Sequence, residues 1–275
     1  DEHILFDISQ RQGPRKRRLA TLCLRNVTPA RLLAPRMQAA RSVTLFSATL
    51  SPRHFYSDLL GMPADTAWLD VAAPFRAEQL EVRIASQVST RYQQRQASLA
   101  PIVDLIARQY ERMPGNYLAF FSSFEYLQQV AGLLAEQHGQ IPLWSQEPGM
   151  DEAARQAFLD RFVADGRGVG FAVLGGAFGE GVDLPGTRLI GAFVATLGLP
   201  QVNPVNEQFK QRLGRQFGAG FDYAYLYPGV RKVIQAAGRV IRGDQDRGVL
   251  VLIDERFAEP RVQQMFPGWW AAAIV

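Results

Sequence analysis

The sequence predicts an α/β fold, in which a parallel β-sheet carries helices on both faces. Short apolar runs alternate along the chain with stretches of helical length, and this alternation is typical of parallel sheets. The chain has 275 residues, of which 47% are hydrophobic, so it is long enough to bury a sizeable core. No internal repeat, low-complexity tract or long linker interrupts the pattern. We therefore expect one such domain and a short N-terminal subregion.

The N-terminal part of the chain predicts a hairpin and two helices. Two apolar runs flank a polar, basic turn, as in a short antiparallel pair. A helix is expected to begin near Pro52, because proline fits the first turn of a helix. In chain order the predicted elements are strands at 3–9 and 19–27, a helix at 29–40, a short β-rich run at 42–47, the helix from Pro52, and a loop at 61–77.

The remainder of the chain predicts the sheet itself. Its strands read as nearly continuous apolar runs, which is typical of strands buried on both faces. The predicted strands are 83–86, 117–121, 141–144, 170–174, 188–195 and 249–254, and the predicted helices are 92–112, 124–138, 151–164, 204–217 and 229–242.

Composition and charge exclude several classes of site. The net charge is +4, which is compatible with a polyanionic partner. Cys23 is the only cysteine, so the chain alone can form neither a disulfide nor an iron–sulfur cluster. The three histidines lack the spacing of metal ligands, and no metal site is predicted. No apolar run has the length of a membrane span and no signal peptide is visible, so we expect a cytoplasmic protein.

The segment QAAGRVIRGDQDRG (Gln235–Gly248) carries the most informative spacing. Gln235, Arg239 and Arg242 are separated as i, i+4 and i+7, which places them on one face of a predicted helix. Gly238 leaves one flank of that face without a side chain. Arginine offers phosphate oxygens a planar fork of donors, so this face suits a triphosphate. An amphipathic helix with solvated arginines is the plainer alternative.

Two further segments place polar groups after buried strands. GAFGEGVDLPG (Gly176–Gly186) is a glycine-rich loop from which Glu180 and Asp183 project, and open α/β sheets bind ligands in such loops. The alternative is that these carboxylates cap the loop's own amides. Ser122 and Ser123 also follow a buried strand and precede a helix, where they suit either a backbone phosphate or a plain N-cap.

Four segments, in order along the chain, resemble helicase motifs III to VI of superfamily 2, in the version carried by the XPD/DinG family of DNA helicases. They are Ser47–Pro52, Gly115–Leu127, Gly176–Gly186 and Gln235–Gly248. No G-x-x-x-x-G-K-[ST] loop for the β- and γ-phosphates of ATP is present. The resemblance implies that residues 51–275 form the second, RecA-like motor domain and that residues 1–50 lead into motif III. The chain is expected to be the C-terminal half of a longer helicase.

The resemblance also implies roles for individual residues. Arg242 would be the arginine finger, Arg239 its partner, and Gln235 the residue that orders them, all acting on ATP and Mg²⁺ held mainly by the first motor domain. Thr49 lies in the coupling motif, although hydroxyls there suit a cap on the helix at Pro52 equally well. The implied nucleotide-binding residues are Gly179, Glu180, Gly181 and Asp183, and the implied nucleic-acid-binding residues are Ser122, Ser123, Thr49, Lys210 and Arg215. Apart from the resemblance, the interleaved aromatic and basic residues between 209 and 227 suggest base stacking, although some of these aromatic residues are expected to belong to the core.

The function implied by the resemblance is that of an ATP-dependent DNA helicase, a hydrolase that acts on ATP. The intact enzyme would move 5′ to 3′ on single-stranded DNA, in DNA repair or at stalled replication, as a monomer. An iron–sulfur cluster is possible in the parent protein, and this chain alone should lack ATPase activity. Two alternatives stay open: a helicase acting on RNA or on an RNA–DNA hybrid, and a nucleic-acid-binding module without catalysis.

Overall fold

A computed structural model of the chain describes residues 2–13, 17–179 and 183–275, and it divides into two units. The smaller unit comprises Asp1–Asp70 and Leu199–Pro228, and the larger comprises Val71–Gly198 and Gly229–Val275. No helix in the described residues combines the length and apolar composition needed to cross a membrane.

Nine strands and eight α-helices lie within the described residues. The strands are β1 (Ile4–Gln12), β2 (Arg18–Asn26), β3 (Leu80–Ala85), β4 (Asn116–Phe121), β5 (Leu143–Ser145), β6 (Gly168–Val173), β7 (Gly191–Ala195), β8 (Gly248–Ile253) and β9 (Ala272–Ile274). The helices are α1 (Ala30–Ala39), α2 (Arg53–Leu60), α3 (Arg95–Arg112), α4 (Phe124–Gln137), α5 (Glu152–Asp160), α6 (Pro204–Phe217), α7 (Tyr227–Ala237) and α8 (Pro260–Gln263).

The larger unit is built on a seven-stranded sheet in the order β5-β6-β4-β7-β8-β3-β9. Every neighbouring pair in this sheet is parallel. Because parallel strands all end at the same edge, the segments that follow β4, β6, β7 and β8 leave the sheet together. We call this the carboxyl edge, and in open α/β sheets it is the edge where ligands bind.

Both faces of strand β4 are covered. On one face Tyr117, Ala119 and Phe121 pack into a cluster with residues of α3 and α4. On the other face Leu118 and Phe120 are 0% exposed. Successive side chains of a strand point to opposite faces, so the sheet is buried on each side. The predicted α/β class, with a parallel sheet and helices on both faces, is confirmed.

The smaller unit joins the N-terminal hairpin to a segment from later in the chain. Strands β1 and β2 are antiparallel, with Ile4 opposite Asn26, so the predicted hairpin is confirmed. Its core brings Leu5 and Phe55 together with Leu213 and Tyr223 of the later segment. The proposed boundary between residues 50 and 51 therefore lies inside this unit, because residues 199–228 return to pack with the N-terminal residues.

The strands of the structure differ from the sequence-based expectation in two places. Residues 42–47 form no strand: Val43, Leu45 and Phe46 are 46%, 40% and 90% exposed, and the run has no strand partner among the described residues. Its β-branched and aromatic composition shows only that it would fit a pleated surface. Conversely, β9 was not predicted. This three-residue strand is fixed by pairing with β3, where Ile84 lies opposite Ile274, rather than by its own alanine-rich sequence.

Candidate functional site

The helix that carries Gln235 ends earlier than predicted. Helix α7 stops at Ala237, and the turns that follow become tighter. The N–H of Gly238 still bonds the carbonyl four residues back at 2.9 Å, whereas the N–H of Arg239 bonds the carbonyl three residues back at 3.4 Å. This change to 3-10 geometry takes the chain out of the α-helical register. The prediction that Gln235, Arg239 and Arg242 share one helix face is therefore wrong.

Arg239 is a buried side chain that joins two of the predicted motifs. The residue is 8% exposed. Its Nε and one Nη donate to the carbonyl oxygen of Gly179 at 3.3 and 2.9 Å. The guanidinium thus binds one backbone carbonyl of the glycine-rich loop with two of its N–H groups. Segment 235–248 and segment 176–186 are linked through this contact.

Arg242 has the opposite environment. Its side chain is 40% exposed, and one Nη lies 3.5 Å from a carboxylate oxygen of Asp183, whose side chain is 75% exposed. The backbone N–H groups of Arg242 and Gly243 both donate to the carboxylate of Asp246, at 2.8 and 2.7 Å. Asp246 therefore closes the turn that presents Arg242, a role that the sequence analysis missed. An aspartate that binds backbone N–H groups in a turn is a recognisable local signal.

The predicted roles of Gln235 and Gly238 have less structural support. Gln235 is half-buried on the last turn of α7 and, within the described ranges, forms no side-chain hydrogen bond to either arginine. A β-carbon on Gly238 would meet carbonyl oxygens of its own helix at 3.3 and 3.6 Å. No other backbone approaches Gly238 among the described residues, and the close approach of a phosphate to this glycine stays a prediction.

The glycine-rich loop is anchored by an aromatic side chain. Phe178 is 1% exposed, and its ring centroid lies 4.1 Å from that of Phe158 in α5. A β-carbon on Gly179 would meet the backbone of Gly175 at 2.9 Å, so only glycine permits this close turn. Glu180 and Gly181 of the predicted nucleotide site lie outside the described residues.

The two serines at the carboxyl edge have different partners. Ser123 is the N-cap of α4, and its hydroxyl accepts the backbone N–H of Tyr126 at 3.3 Å. The N-cap interpretation of Ser123 is therefore confirmed, and a phosphate contact stays a prediction. Ser122 accepts a hydrogen bond from Arg95 at 2.8 Å. Arg95 was not predicted, and it adds a positive charge beside Ser122.

Thr49 lies in a turn of the smaller unit. Its backbone N–H donates to the hydroxyl of Ser47 at 3.2 Å, and its carbonyl accepts from the hydroxyl of Tyr56 at 2.7 Å. Helix α2 begins after Pro52 with no side-chain cap. The alternative in which these hydroxyls cap the helix is therefore wrong, and the hydroxyl of Ser47 stabilises its own turn instead.

Most of the aromatic residues proposed for base stacking belong to the core. Tyr223 and Tyr225 are 4% and 2% exposed. Burial and a hydrogen bond from its own hydroxyl to Glu207, at 2.8 Å, raise the pKa of Tyr225 to about 12. The prediction of a stacking platform was therefore wrong for these residues. The remaining members pack against the same core and are Phe209, Phe217 and Tyr227.

The basic residues of α6 differ in availability. Lys210 lies 2.8 Å from Glu207, the acceptor that Tyr225 also uses. Arg215 is exposed in the last turn of the helix. Of the two predicted nucleic-acid contacts, Lys210 is already paired with a carboxylate and Arg215 is the more exposed residue.

No group of three or more His, Cys, Asp or Glu side chains that could hold a metal ion occurs in the part of the chain that the structure describes. The groups described above include arginines, backbone donors and hydroxyls. Such groups bind and stabilise phosphate oxygens.

A protein-family model described as Helicase C-terminal domain, Helicase_C_2, matches residues 106–273, which is more than half of the chain. The matched region begins within α3 and extends to β9. It contains the whole of the segments 115–127, 176–186 and 235–248.

Two curated relatives align with most of the chain. The ATP-dependent helicase DinG of Mycobacterium tuberculosis is 26% identical over 262 residues, covering 91% of this chain and 38% of the relative. The ATP-dependent DNA helicase CHL1 of Coccidioides immitis is 25% identical over 285 residues, covering 87% of this chain and 33% of the relative. The chain thus spans about a third of the length of these relatives.

The likeness extends to solved structures. One of an XPD helicase superposes with a TM-score of 0.71 at 18% identity, covering 94% of this chain and 47% of that one. This likeness supports the RecA-like form of the α/β fold. With the family match over more than half its length, the chain belongs to the helicase C-terminal domain family and is a C-terminal helicase domain of the XPD/DinG type.

Proposed function

We propose that this chain is the second motor domain of an ATP-dependent DNA helicase and that Arg242 acts on the γ-phosphate of ATP bound by the first motor domain. The observation that carries the proposal is the contrast between the two arginines. Arg239 is buried and bonded to the backbone of Gly179, whereas Arg242 carries a solvent-exposed guanidinium at the end of a closed turn. One arginine is suited to fastening the site and the other to reaching a ligand.

The residues around Arg242 are suited to binding a phosphate group. The pair between Arg242 and Asp183 is long, at 3.5 Å, and both side chains are well exposed. Exposed ion pairs contribute only about 0–1 kcal/mol, so exchanging this carboxylate for phosphate oxygens costs little. Bound ATP would supply the phosphoryl group on which negative charge develops. Arg242 would neutralise that charge with planar, permanently protonated donors.

Arg239 then acts as a positioning residue. Its two bonds to Gly179 hold the segment that leads to Arg242 against the loop that carries Asp183. Gln235, one turn before it, would add to this ordering only after a change of conformation. Glu180 and Gly181 are proposed, from the family resemblance, to contact the nucleotide with Gly179 and Asp183.

Single-stranded DNA is the proposed nucleic acid, and 5′ to 3′ the proposed direction of movement, by resemblance to the family. In the larger unit, Ser122 with its neighbour Arg95 and the N-terminus of α4 at Ser123 are suited to backbone phosphates. In the smaller unit, Thr49, Lys210 and Arg215 are the proposed contacts. The name of the CHL1 relative, a DNA helicase, favours DNA over RNA.

The proposal is tested by ATP hydrolysis in the full-length polypeptide that carries this chain, with and without single-stranded DNA. Arg242→Ala should lower DNA-stimulated turnover by about 10³-fold or more, the usual effect of losing an arginine finger. Arg108→Ala is the matched control, because Arg108 is an 81% exposed side chain on α3 and should leave turnover unchanged. Near-normal turnover in Arg242→Ala would reject the assignment. Absence of turnover in the unaltered protein would favour the non-catalytic module.

A further inference from the structure

Gln79 lies outside all four predicted motifs, yet its side chain is inserted into the turn that presents Arg242. The residue is 3% exposed. Its amide nitrogen lies 3.1 Å from each of the carbonyl oxygens of Gly243, Asp244 and Asp246. Three backbone acceptors thus converge on one side-chain amide.

The amide is fixed from its other end. Its oxygen accepts the backbone N–H of Arg76 at 2.9 Å, which closes the 3-10 turn Ala77–Gln79. The next residue, Leu80, begins β3 and lies opposite Gly248, the first residue of β8. Gln79 and the turn before β8 are therefore neighbours through strand pairing, and the direction of the amide is set by the sheet.

The turn is held from two sides. Asp246 accepts the N–H groups of Arg242 and Gly243, whereas Gln79 donates to the carbonyl oxygens of the same turn. Removing the amide would leave part-buried backbone acceptors without their donor, and groups shielded from water are costly to leave unsatisfied. The turn would then relax, and the guanidinium of Arg242 would lose its defined direction.

We infer that Gln79 is a positioning residue for Arg242. Its amide holds the carbonyl oxygens of the turn at 243–246 so that the guanidinium of Arg242 is directed towards the phosphate. The inference rests on the proposed role of Arg242. It adds a residue from the region before β3 to the machinery of phosphate recognition.

The experiment compares Gln79→Met and Gln79→Glu in the full-length polypeptide. Met keeps the volume and removes all polar atoms, whereas Glu keeps the acceptor for Arg76 and removes the donor. In each variant kcat for DNA-stimulated ATP hydrolysis should fall about 10- to 100-fold, as expected for a misplaced catalytic group, while KM for ATP changes less than about twofold. Gln128→Met, at an exposed glutamine of α4, is the matched control.

A double variant separates positioning from general stabilisation. Gln79→Met combined with Arg242→Ala should be no less active than Arg242→Ala alone, because the amide acts only through Arg242. Multiplicative losses would overturn the inference, as would unchanged kcat in both Gln79 variants. If Gln79→Met fails to fold, as judged by its thermal transition, Gln79→Glu carries the same comparison. Should Arg242→Ala itself keep full activity, the proposed function fails first, and the two failures are thus distinguished.

Discussion

Arg239 and Arg242 are three residues apart and have opposite surroundings. The buried guanidinium of Arg239 is bonded to a carbonyl oxygen of Gly179, and the exposed guanidinium of Arg242 lies beside Asp183. Their spacing in the sequence predicts that both lie on one face of a helix. The 3-10 turn after Ala237 takes them out of that register. At the scale of single residues, the local backbone therefore decides which arginine is buried and which is exposed.

Asp254 is a buried carboxylate at the carboxyl end of β8. It is 0% exposed and accepts Nε and Nη of Arg256 at 2.6 and 2.8 Å, as well as the backbone N–H of Thr90 at 3.0 Å. Burial alone would raise the pKa of Asp254. The hydrogen bonds and charge of Arg256, with the hydroxyl of Thr90, outweigh burial and bring the pKa below its ordinary value.

The ionisation of Asp254 makes the free energy of unfolding depend on pH. Because its folded pKa is lowered, its contribution is present above the unfolded pKa of about 4 and is lost as pH falls through the folded value. Arg256→Met removes the partner and should lower the free energy of unfolding by about 3 kcal/mol at pH 7. In that variant burial should raise the pKa of Asp254 above its unfolded value, so the deficit should begin to shrink above pH 4 and shrink further as pH falls to 3. Urea denaturation at pH 7 and at pH 3 measures this change.

The comparison has a matched control in Arg108→Met. Arg108 forms a 3.8 Å pair with Asp104 in which both side chains are exposed, and such pairs contribute little. Its stability should follow that of the unaltered chain at both pH values. A deficit in Arg256→Met that stays constant between pH 7 and pH 3 would contradict the assigned linkage.

At the scale of elements, the sequence predicts best where local signals agree. Helix α6 was predicted with both ends correct, because Asn203 caps it, Pro204 begins it and Gly218, with φ of 76°, ends it. The end of α7 carries no such signal, since its last turn tightens gradually and Gly238 does not adopt a left-handed conformation. Because the predicted helix extended to residue 242 whereas α7 ends at Ala237, the two arginines were wrongly predicted to share one helix face.

In the candidate site, too, some residues were indicated by local sequence signals and others were missed. Motif order and residue type indicated Asp183 and Arg242, which the structure places 3.5 Å apart. Their function stays a prediction. Gln79 and Phe178 were missed because their roles depend on contacts distant in sequence, with the 243–246 turn and with Phe158 respectively. No periodicity within a window of one helix or strand can report such contacts.

Helix α6 is an amphipathic element whose charged side makes a specific prediction. Leu213 is buried, and Phe209 and Phe217 pack against the same core. Arg215 is exposed on the same helix. If Arg215 contacts a DNA phosphate, Arg215→Ala in the full-length polypeptide should weaken single-stranded DNA binding about tenfold. The slope of log affinity against log salt should also fall by about 0.7.

The same measurement ranks Lys210 below Arg215. Lys210 is already paired with Glu207 at 2.8 Å, so Lys210→Ala should cost less affinity. A fluorescence titration with one oligonucleotide at several salt concentrations gives both affinity and slope, with Arg108→Ala as the exposed control. An unchanged slope in Arg215→Ala would remove this residue from the nucleic-acid contacts.

For the molecule as a whole, the chain carries the arginines proposed to act on ATP but has no phosphate-binding loop in its sequence. Its sequence has no G-x-x-x-x-G-K-[ST] segment, and the chain spans about a third of relatives named as ATP-dependent helicases. Catalysis of phosphoryl transfer depends on positioning and on charge supplied from several groups together. An arginine without the cradle for the β- and γ-phosphates supplies only one of those groups.

The isolated chain should therefore show no ATP hydrolysis above background, with or without single-stranded DNA. Adding the remainder of the polypeptide as a separate protein should restore DNA-stimulated turnover, because Arg242 would then complete the site from another molecule. The same addition to a chain carrying Arg242→Ala should restore none, whereas a chain carrying Arg108→Ala should match the unaltered one. Turnover by the isolated chain that persists in Arg242→Ala would mean that it binds and hydrolyses ATP by residues other than those assigned here.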